Sequence, residues 1–236
     1  IELKEGWCEC VSNLNKIEVS SNNPLFKMYD DKFLIRKSSI QKVEYDQLCF
    51  CVRNLTHVKI PNFIEYICPY SFNDDKIFQI EFPNDSKLKK IGKNAFNRTN
   101  ITNVKIPSQV IEIEEGAFSL CNQLKTIEFS DDSNLQIINK KAFLDTSIES
   151  IKIPSSVTII KENAFHTYHL QQIEINDDSN LKTIEKNAFI STYIKSITIP
   201  SKVIELNDKW CNWTKKLAQV KISSENKKYR CIDDKI

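Results

Sequence analysis

Apolar residues recur along the chain in the order apolar-x-x-apolar-x-apolar, and eight matches to this pattern keep the same phase. In a β-strand, residues two apart point to the same side, so the last two apolar positions of each match predict a short strand with one buried face. The first apolar position is expected to turn inward at the corner before the strand. The matches are Leu55-Val58-Ile60, Ile77-Ile80-Phe82, Ile101-Val104-Ile106, Leu124-Ile127-Phe129, Ile148-Ile151-Ile153, Leu170-Ile173-Ile175, Ile194-Ile197-Ile199 and Leu217-Val220-Ile222.

An Ala-Phe or Ser-Phe pair recurs in phase with these strands, in steps of 22 to 25 residues. A unit of this length cannot bury its apolar face alone, so such units must stack as the coils of a solenoid. We therefore predict that the phenylalanines form a continuous column on the side of each coil opposite the strand. The column consists of Phe72, Phe96, Phe118, Phe143, Phe165 and Phe189, and Trp210 is expected to take the same place in the next coil.

Two kinds of coil alternate. One ends its strand with a proline, where no backbone donor is needed, and the other continues into a polar Asx-Ser loop that is typical of turns. The prolines are 46 or 47 residues apart, so the true repeat is a pair of coils. We predict one solenoid domain over residues 1–236, with regular alternating 22- and 24-residue repeats over 55–222. The prolines are Pro61, Pro107, Pro154 and Pro200, and the loops are Asn84-Asp85-Ser86, Asp131-Asp132-Ser133 and Asp177-Asp178-Ser179.

The two ends of the chain resemble each other. Twelve residues of segment 1–33 recur identically 203 residues later, and Trp7-Cys8 corresponds in this way to Trp210-Cys211. The repetition predicts that the chain is a fragment of a longer array. End coils without a polar cap are expected to associate end to end.

Residues 20–54 interrupt the regular pattern. Within them, residues 26–29 and 33–36 predict a β-hairpin around an Asp-Asp turn, and residues 40–45 suggest a further short strand.

Composition narrows the function classes. Lys and Arg number 33 against 31 Asp and Glu, so the chain lacks the net basic surface of a dedicated nucleic-acid-binding protein. Only 3 glycines are present, which disfavours phosphate-binding loops, and no window is long and apolar enough for membrane insertion. No nucleophile elbow, P-loop or His-Glu zinc motif occurs. We therefore predict neither enzymatic activity nor a bound cofactor.

Metal binding is also not predicted. The eight cysteines include Cys8-x-Cys10 and Cys49-x-Cys51, but structural zinc sites usually separate paired cysteines by two or more residues. Disulfides among these four, or isolated buried thiols, are the alternatives. The acidic loops belong to every second coil, so they lie too far apart to share one Ca²⁺ ion, and turn formation explains them.

The residue between the last two apolar positions of each strand must point outward. Along the coils these residues alternate in charge from Lys59 to Glu174. Since parallel strands lie about 4.8 Å apart, the alternation predicts a self-paired ladder, a neutral polar face for a protein partner, or both. The cancelled field argues against steering of an anionic polymer. The candidate protein-binding face consists of His57, Lys59, Phe78, Gln79, Glu81, Asn103, Lys105, Thr126, Glu128, Ser150, Lys152, Gln172, Glu174, Ser196 and Thr198.

Five N-glycosylation sequons are present, at Asn54, Asn84, Asn97, Asn100 and Asn212. Attachment requires a surface position in a secreted protein. Asn97 and Asn100 are expected in a coil corner, so we predict that these two are the acceptable sites.

The segment Ile101 to Leu124 carries nearly all of the motif Leu-x-x-Ile-x-Ile-Pro-x-Ser-Val-x-x-Ile-x-x-x-Ala-Phe-x-x-Cys-x-x-Leu, with Cys121 at the Cys place. This motif resembles the leucine-rich repeat of BspA-like surface proteins, and the Trp-Cys and hairpin segments resemble those of protist members. The resemblance covers residues 50–222 closely. It departs at the Cys place, where Arg98, Asp145, Thr167, Ser191 and Thr214 are expected in the other coils.

The resemblance implies a surface-exposed or secreted adhesin that binds host or extracellular-matrix proteins without catalysis. An intracellular scaffold and a structural spacer are the alternatives. The predicted fold is an α/β solenoid, mostly β. It is expected to be a right-handed leucine-rich-repeat superhelix with a parallel β-sheet on one face and short helical or 3₁₀ turns on the other.

Overall fold

The computed structural model describes residues 3–4 and 6–230, and within them the chain forms eighteen short strands joined by turns. In chain order they are β1 Phe26–Tyr29, β2 Phe33–Arg36, β3 Gln47–Cys51, β4 His57–Lys59, β5 Tyr66–Ile67, β6 Gln79–Glu81, β7 Lys90–Ile91, β8 Asn103–Ile106, β9 Glu112–Ile113, β10 Thr126–Phe129, β11 Ile137–Ile138, β12 Ser150–Ile153, β13 Ile159–Ile160, β14 Gln172–Ile175, β15 Thr183–Ile184, β16 Ser196–Ile199, β17 Glu205–Leu206 and β18 Gln219–Ile222.

Each coil contributes one strand to each of two sides. The even-numbered strands from β4 to β18, here called the front strands, carry the predicted apolar pattern and pair in parallel, as β4 with β6 and β8 with β10. The two-residue strands from β5 to β17 form a parallel back sheet, which β3, β2 and β1 extend at its N-terminal edge. The chain therefore winds as a mostly β solenoid, and the short back strands allow each coil to close in so few residues.

The phenylalanine column is present. From Phe72 to Phe189, successive ring centroids lie 4.8 to 5.6 Å apart, with ring planes within 17° of parallel. These six rings have at most 1 % of their surface exposed, and they pack in one core with the isoleucines of the front and back strands. Each ring therefore buries its neighbours, and the apolar side chains of each coil are shielded from water only by the coils beside it.

The expected helical or 3₁₀ turns are wrong for the described residues, where the opposite side of the coil carries short strands and isolated turns. Ala95 N–H donates to the carbonyl of Gly92, three residues back, but Phe96 N–H donates to Ala117 of the next coil. The residue two before each Phe has a positive φ, as at Asn94 and Asn187. A left-handed residue and donation between coils both stop a helix after one turn.

Trp210 does not take the place of the phenylalanine. Phe165 N–H donates to the carbonyl of Ala188, and Phe189 N–H donates in the same way to Trp210, which puts Trp210 at the Ala place and Cys211 at the Phe place. The ring of Trp210 still meets that of Phe189 edge-on, at 6.3 Å. The wide indole therefore closes the column from the side.

The Cys place of the motif is three residues after the Phe, and in most coils a buried hydroxyl or thiol at this place bonds a backbone carbonyl. Thr99 Oγ1 and Cys121 Sγ both donate to the carbonyl of Phe96, at 2.9 and 3.0 Å. The expected occupants Arg98, Asp145 and Ser191 lie one residue earlier, at positive φ. The column tolerates loss of its cysteines because Thr supplies the same donor at Thr99, Thr146, Thr192 and Thr214.

The N-terminal edge is covered by a hairpin and a strap. Strands β1 and β2 pair antiparallel, and the next strand is β3, which begins at Gln47, later than the predicted strand over 40–45. Residues 3–4 and 6–19, here called the strap, cross the outer side of this edge and pack on a second apolar cluster, here called the N-terminal cluster. Its buried members are Cys8, Phe26, Leu34, Cys49, Phe50, Cys68 and Tyr70.

The guanidinium of Arg53 ties the strap to the first regular coil. It donates to the carbonyl of Val11 at 2.9 Å and of Ser71 at 3.0 Å, and it pairs with Asp75 at 3.2 Å. Both charged side chains have at most 1 % of their surface exposed. Burial raises the pKa of Asp75 to about 6, although Arg53 opposes this rise. Burying the two charges therefore opposes folding, and removing one partner would destabilise the fold further because the other charge would stay buried without a partner.

The column predicts the effect of removing one ring. Phe143→Ala leaves a cavity between Phe118 and Phe165, so it should lower the free energy of unfolding by about 3 to 5 kcal/mol. Urea denaturation followed by circular dichroism measures this change. Phe78→Ala, at a 40 % exposed ring outside the column, is the control and should cost much less. Equal losses would contradict the column as the main stabilising element.

The buried pair predicts a non-additive effect. Arg53→Met leaves Asp75 buried without its partner and should destabilise the fold by about 3 to 5 kcal/mol, while Arg53→Met with Asp75→Leu should recover part of that loss. Urea denaturation of the two single variants and the double variant measures the coupling. Additive losses would show that the two side chains act independently.

Candidate protein-binding face

The front strands hold the predicted face by simple alternation. In β8 and β12 the exposures alternate exposed, buried, exposed, buried, so Asn103 and Lys105 point to solvent while Val104 and Ile106 enter the core. The parallel register places each outward residue beside its equivalent on the paired strand, Lys105 opposite Glu128 for example. All members of the predicted face are exposed except Thr198, which is half-buried.

The charges on this face pair less than their alternation suggests. Lys59 and Glu81 form an ion pair at 3.3 Å, but Lys152 turns away from Glu174 and bonds Asp131 of the preceding loop at 3.1 Å. That hydrogen bond raises the pKa of Lys152. Among the described residues, Lys105, Glu128 and Glu174 make no ion pair within 4.0 Å. The self-paired ladder is therefore partial.

The neutral residues of the face are also uncommitted. In the part of the chain that the structure describes, the side chains of Gln79, Thr126, Ser150 and Gln172 make no hydrogen bond. The side chain of Asn103 bonds only its neighbour Thr102, at 3.1 Å. Polar groups that are already hydrated and unpaired can exchange water for a partner at little cost.

The back and the turns of the coils differ from the front. There, ion pairs cross from coil to coil, as in Lys90–Glu112 at 2.8 Å and Lys140–Glu162 at 2.7 Å. Asn139 adds a hydrogen bond to Glu112 at 3.0 Å. Side chains on these sides serve the solenoid itself, whereas those on the front are available.

One end of the face carries an aromatic pair. The ring of Phe78 lies 4.4 Å from that of His57, in an edge-on contact, and 40 % of Phe78 stays exposed. Thr56 Oγ1 lies 3.0 Å from Nδ1 of His57 and helps to fix the imidazole. A fixed, half-exposed aromatic pair is the kind of anchor that protein interfaces favour.

A groove that sequence analysis missed opens beside the face. It has a volume of about 480 Å³ and lies where the loops after β6 and β10 flank the end of β8. Lys105 is common to the face and the groove, and Asp85 and Asp132 line its sides. The signal was the alternation of coil types, since a Pro coil between two longer loops leaves a recess.

The acidic loops use their carboxylates within the fold. Asp85 accepts a hydrogen bond from Asn62 at 2.6 Å, and Asp177 accepts one from Ser223 at 2.9 Å. Over residues 3–4 and 6–230, no three His, Cys, Asp or Glu side chains converge as metal ligands would. The same residues contain no helix that could cross a membrane.

A second aromatic surface, also missed, lies on the turn side of the last coils. Tyr168 and Trp213 are 57 % and 66 % exposed, and with His166 and Tyr193 they line a groove of about 340 Å³. In this coil Thr167 takes the buried hydroxyl position one residue early, which turns Tyr168 outward. The misplaced Thr was the signal in the sequence.

The two predicted glycosylation sites differ in the structure. Asn97 is half-buried and its amide donates to the carbonyl of Ser119 at 3.0 Å, while Thr99 of its sequon is 1 % exposed. Asn100 and Thr102 of the next sequon are exposed. The geometry favours Asn100 alone.

The model of the BspA type leucine rich repeat region matches the chain in six copies, over residues 43–167 and 132–231. These ranges cover most of the sequence. The chain belongs to the BspA-type leucine-rich-repeat family. The leucine-rich repeats of this family fit a protein-interaction module, and the family is generally non-enzymatic.

Solved structures support the same fold for this BspA-type protein. It is similar to a leucine-rich cell surface protein from Faecalibacterium prausnitzii A2-165, with 21 % identity, a TM-score of 0.76, and coverage of 91 % of this chain and 58 % of that one. For a leucine-rich repeat protein from Eubacterium ventriosum ATCC 27560 the values are 20 %, 0.71, 89 % and 55 %. The BspA-type chain thus spans a little more than half the length of these two proteins. Among curated proteins, no sequence matches it.

The sequons of this BspA-type chain give a testable difference. When the protein is expressed through a eukaryotic secretory pathway, Asn100 should carry a glycan and Asn97 should not, because the Asn97 amide is held by Ser119. Intact mass measurement before and after deglycosylation, with Asn100→Gln and Asn97→Gln variants, checks both sites. A mass loss from Asn97→Gln would show that the hydrogen bond does not protect this position.

Proposed function

We propose that the outward face of the front strands binds a protein outside the cell, on a host surface or in the extracellular matrix. One observation carries the proposal. Side chains on the back and turns are tied between coils, whereas Gln79, Asn103 and Gln172 hold equivalent positions on the front strands β6, β8 and β14 and point to solvent without a side-chain bond to another coil. An exterior location is supported by the similar protein that is described as a cell surface protein.

The chemistry of the face suits a protein surface better than a charged polymer. Its outward charges alternate, so their long-range field is small and association is expected to depend weakly on salt. Affinity must then come from close contact over several coils, with amides and hydroxyls as adaptable partners and the His57–Phe78 pair as an apolar anchor.

End-to-end association remains part of the proposal. Ile222, on β18, is half-buried, whereas its equivalent Ile199 on β16 is fully buried. A second copy stacked against β18 would bury Ile222 as a following coil does.

The face predicts the effect of three added charges. We expect one variant with three added charges to bind purified extracellular-matrix proteins at least tenfold more weakly, a loss of about 1.4 kcal/mol in the free energy of binding. The variant combines Gln79→Arg, Asn103→Arg and Gln172→Arg. The melting temperature should stay unchanged because all three side chains are exposed and none bonds another coil. Surface plasmon resonance on a panel of immobilised matrix proteins measures the binding.

A matched control separates the site from the added charge. Gln41→Arg, Gln123→Arg and Gln136→Arg add the same charge at exposed glutamines outside the front strands and should leave binding intact. Equal losses in both variants would place the effect in net charge. Unchanged binding of the first variant, with loss on Tyr168→Ala and Trp213→Ala, would move the site to the turn side. No binding by the unmodified protein would favour the spacer or scaffold alternatives.

A further inference from the structure

Two cysteines face each other across the junction between the hairpin and the first coil. The Sγ atoms of Cys49, in β3, and Cys68, which follows β5, lie 3.7 Å apart. The strands pair in parallel with Leu48 opposite Ile67, and Cys68 N–H donates to the Leu48 carbonyl at 2.8 Å. The two cysteines are therefore directly opposed on the outer side of the back sheet.

Strand pairing supplies the geometry that a disulfide needs. Adjacent paired strands hold opposed Cα atoms about 5 Å apart, inside the 4.4 to 6.8 Å range of disulfides. Only side-chain rotation is then required to bring the sulfur atoms from contact to bonding distance. Both residues are buried, at 4 % and 7 % exposed, so an oxidised pair would be protected from exchange.

The other buried thiols are already engaged elsewhere. Cys8 donates to the carbonyl of Tyr70, Cys51 to that of Val52 and Cys121 to that of Phe96. Cys51 also packs in the main core, on the other side of β3 from the N-terminal cluster. Among the cysteines at residues 8–211, Cys49 and Cys68 are thus the two whose sulfur atoms face each other, although none of the pairings weighed from the sequence joined them.

We propose that Cys49 and Cys68 are a modification site, joined as a disulfide when the protein folds in an oxidising compartment. The co-reactant is a small-molecule or protein disulfide. One cysteine thiolate attacks it, forming a mixed disulfide and releasing one thiol. The second cysteine thiolate then displaces the other, so that two protein thiols lose two hydrogens and the oxidant gains two as a pair of thiols.

The surroundings fix when the bond forms. The Cys49 thiol is buried and hydrogen-bonded to Cys68. Both effects raise its pKa well above the usual range, so the thiolate is scarce in the folded protein. The strap with Cys8 covers the same cluster. Oxidation is therefore expected during folding, before the strap packs on the back sheet, and is expected to be slow afterwards.

The bond would fasten the hairpin to the solenoid. It links β3 to the start of the turn after β5 and closes a short loop of the chain that contains front strand β4. The inference concerns this joint and does not depend on partner binding, so a protein that captures no matrix protein can still form the bond.

Peptide mapping tests the proposal directly. The full chain is refolded in a glutathione redox buffer, its free thiols are blocked with N-ethylmaleimide, and it is digested with trypsin. Peptides 43–53 and 60–76 should appear linked, with a mass lower by two hydrogens than their sum, and fragmentation on either side of Phe50 assigns the bond to Cys49 rather than Cys51. Unlinked, blocked peptides, or a link to Cys8, would overturn it.

Stability gives an independent readout. Protein that is unfolded, reduced with dithiothreitol and refolded in its presence should melt about 5 to 10 °C below the oxidised protein. Cys121→Ala, which removes a different buried thiol, should keep this difference, and Cys49→Ala or Cys68→Ala should abolish it. The same difference in all variants would contradict the proposed pair. The peptide map decides the question from the unmodified protein if a variant fails to fold.

Discussion

The stacking of each coil on the next is the constraint on which the structure depends. A coil of 22 or 24 residues is too small to bury its own apolar side chains. They are shielded from water only where a neighbouring coil covers them. The backbone follows the same rule, because the N–H of each column phenylalanine from Phe72 to Phe189 donates to the following coil and not to its own. Stability is thus shared between neighbours, and local damage weakens two interfaces at once.

The period of the sequence predicted the winding, the front strands and the phenylalanine column because all three follow from where apolar side chains must go. It failed where backbone conformation decides. The expected helical turns gave way to single turns because left-handed residues such as Asn94 and Lys141, and the phenylalanines two residues after them, donate their N–H groups to the next coil, and no apolar pattern encodes that. Trp210 was misplaced by one residue for a similar reason, since its size suggested the Phe place and only the hydrogen bonds reveal the Ala place.

The candidate face was predictable as a row of outward residues. That many of its side chains make no bond within the fold was not predictable. The ion pairs of the face also depend on the positions of the loops, which strand alternation does not predict. Lys152, for example, pairs with Asp131 of a loop and not with Glu174 on the neighbouring strand. The groove beside Lys105 and the aromatic surface around Trp213 arise from the shape of the coils, which the alternation of coil types and the early position of Thr167 indicate only indirectly. The opposition of Cys49 and Cys68 depends on the register of β3 against β5, which the irregular segment hid.

The displaced hydroxyl of Thr167 has a consequence for how such arrays diversify. In most coils the buried donor is three residues after the Phe, and the side chain at that position is spent on a carbonyl. In the coil of Phe165 the buried hydroxyl belongs to Thr167, one residue earlier than usual. The core keeps a buried hydroxyl there, and the next residue, Tyr168, is exposed to solvent. New surface chemistry on the turn side can therefore evolve by sliding one small residue along the chain, without repacking a single ring of the interior.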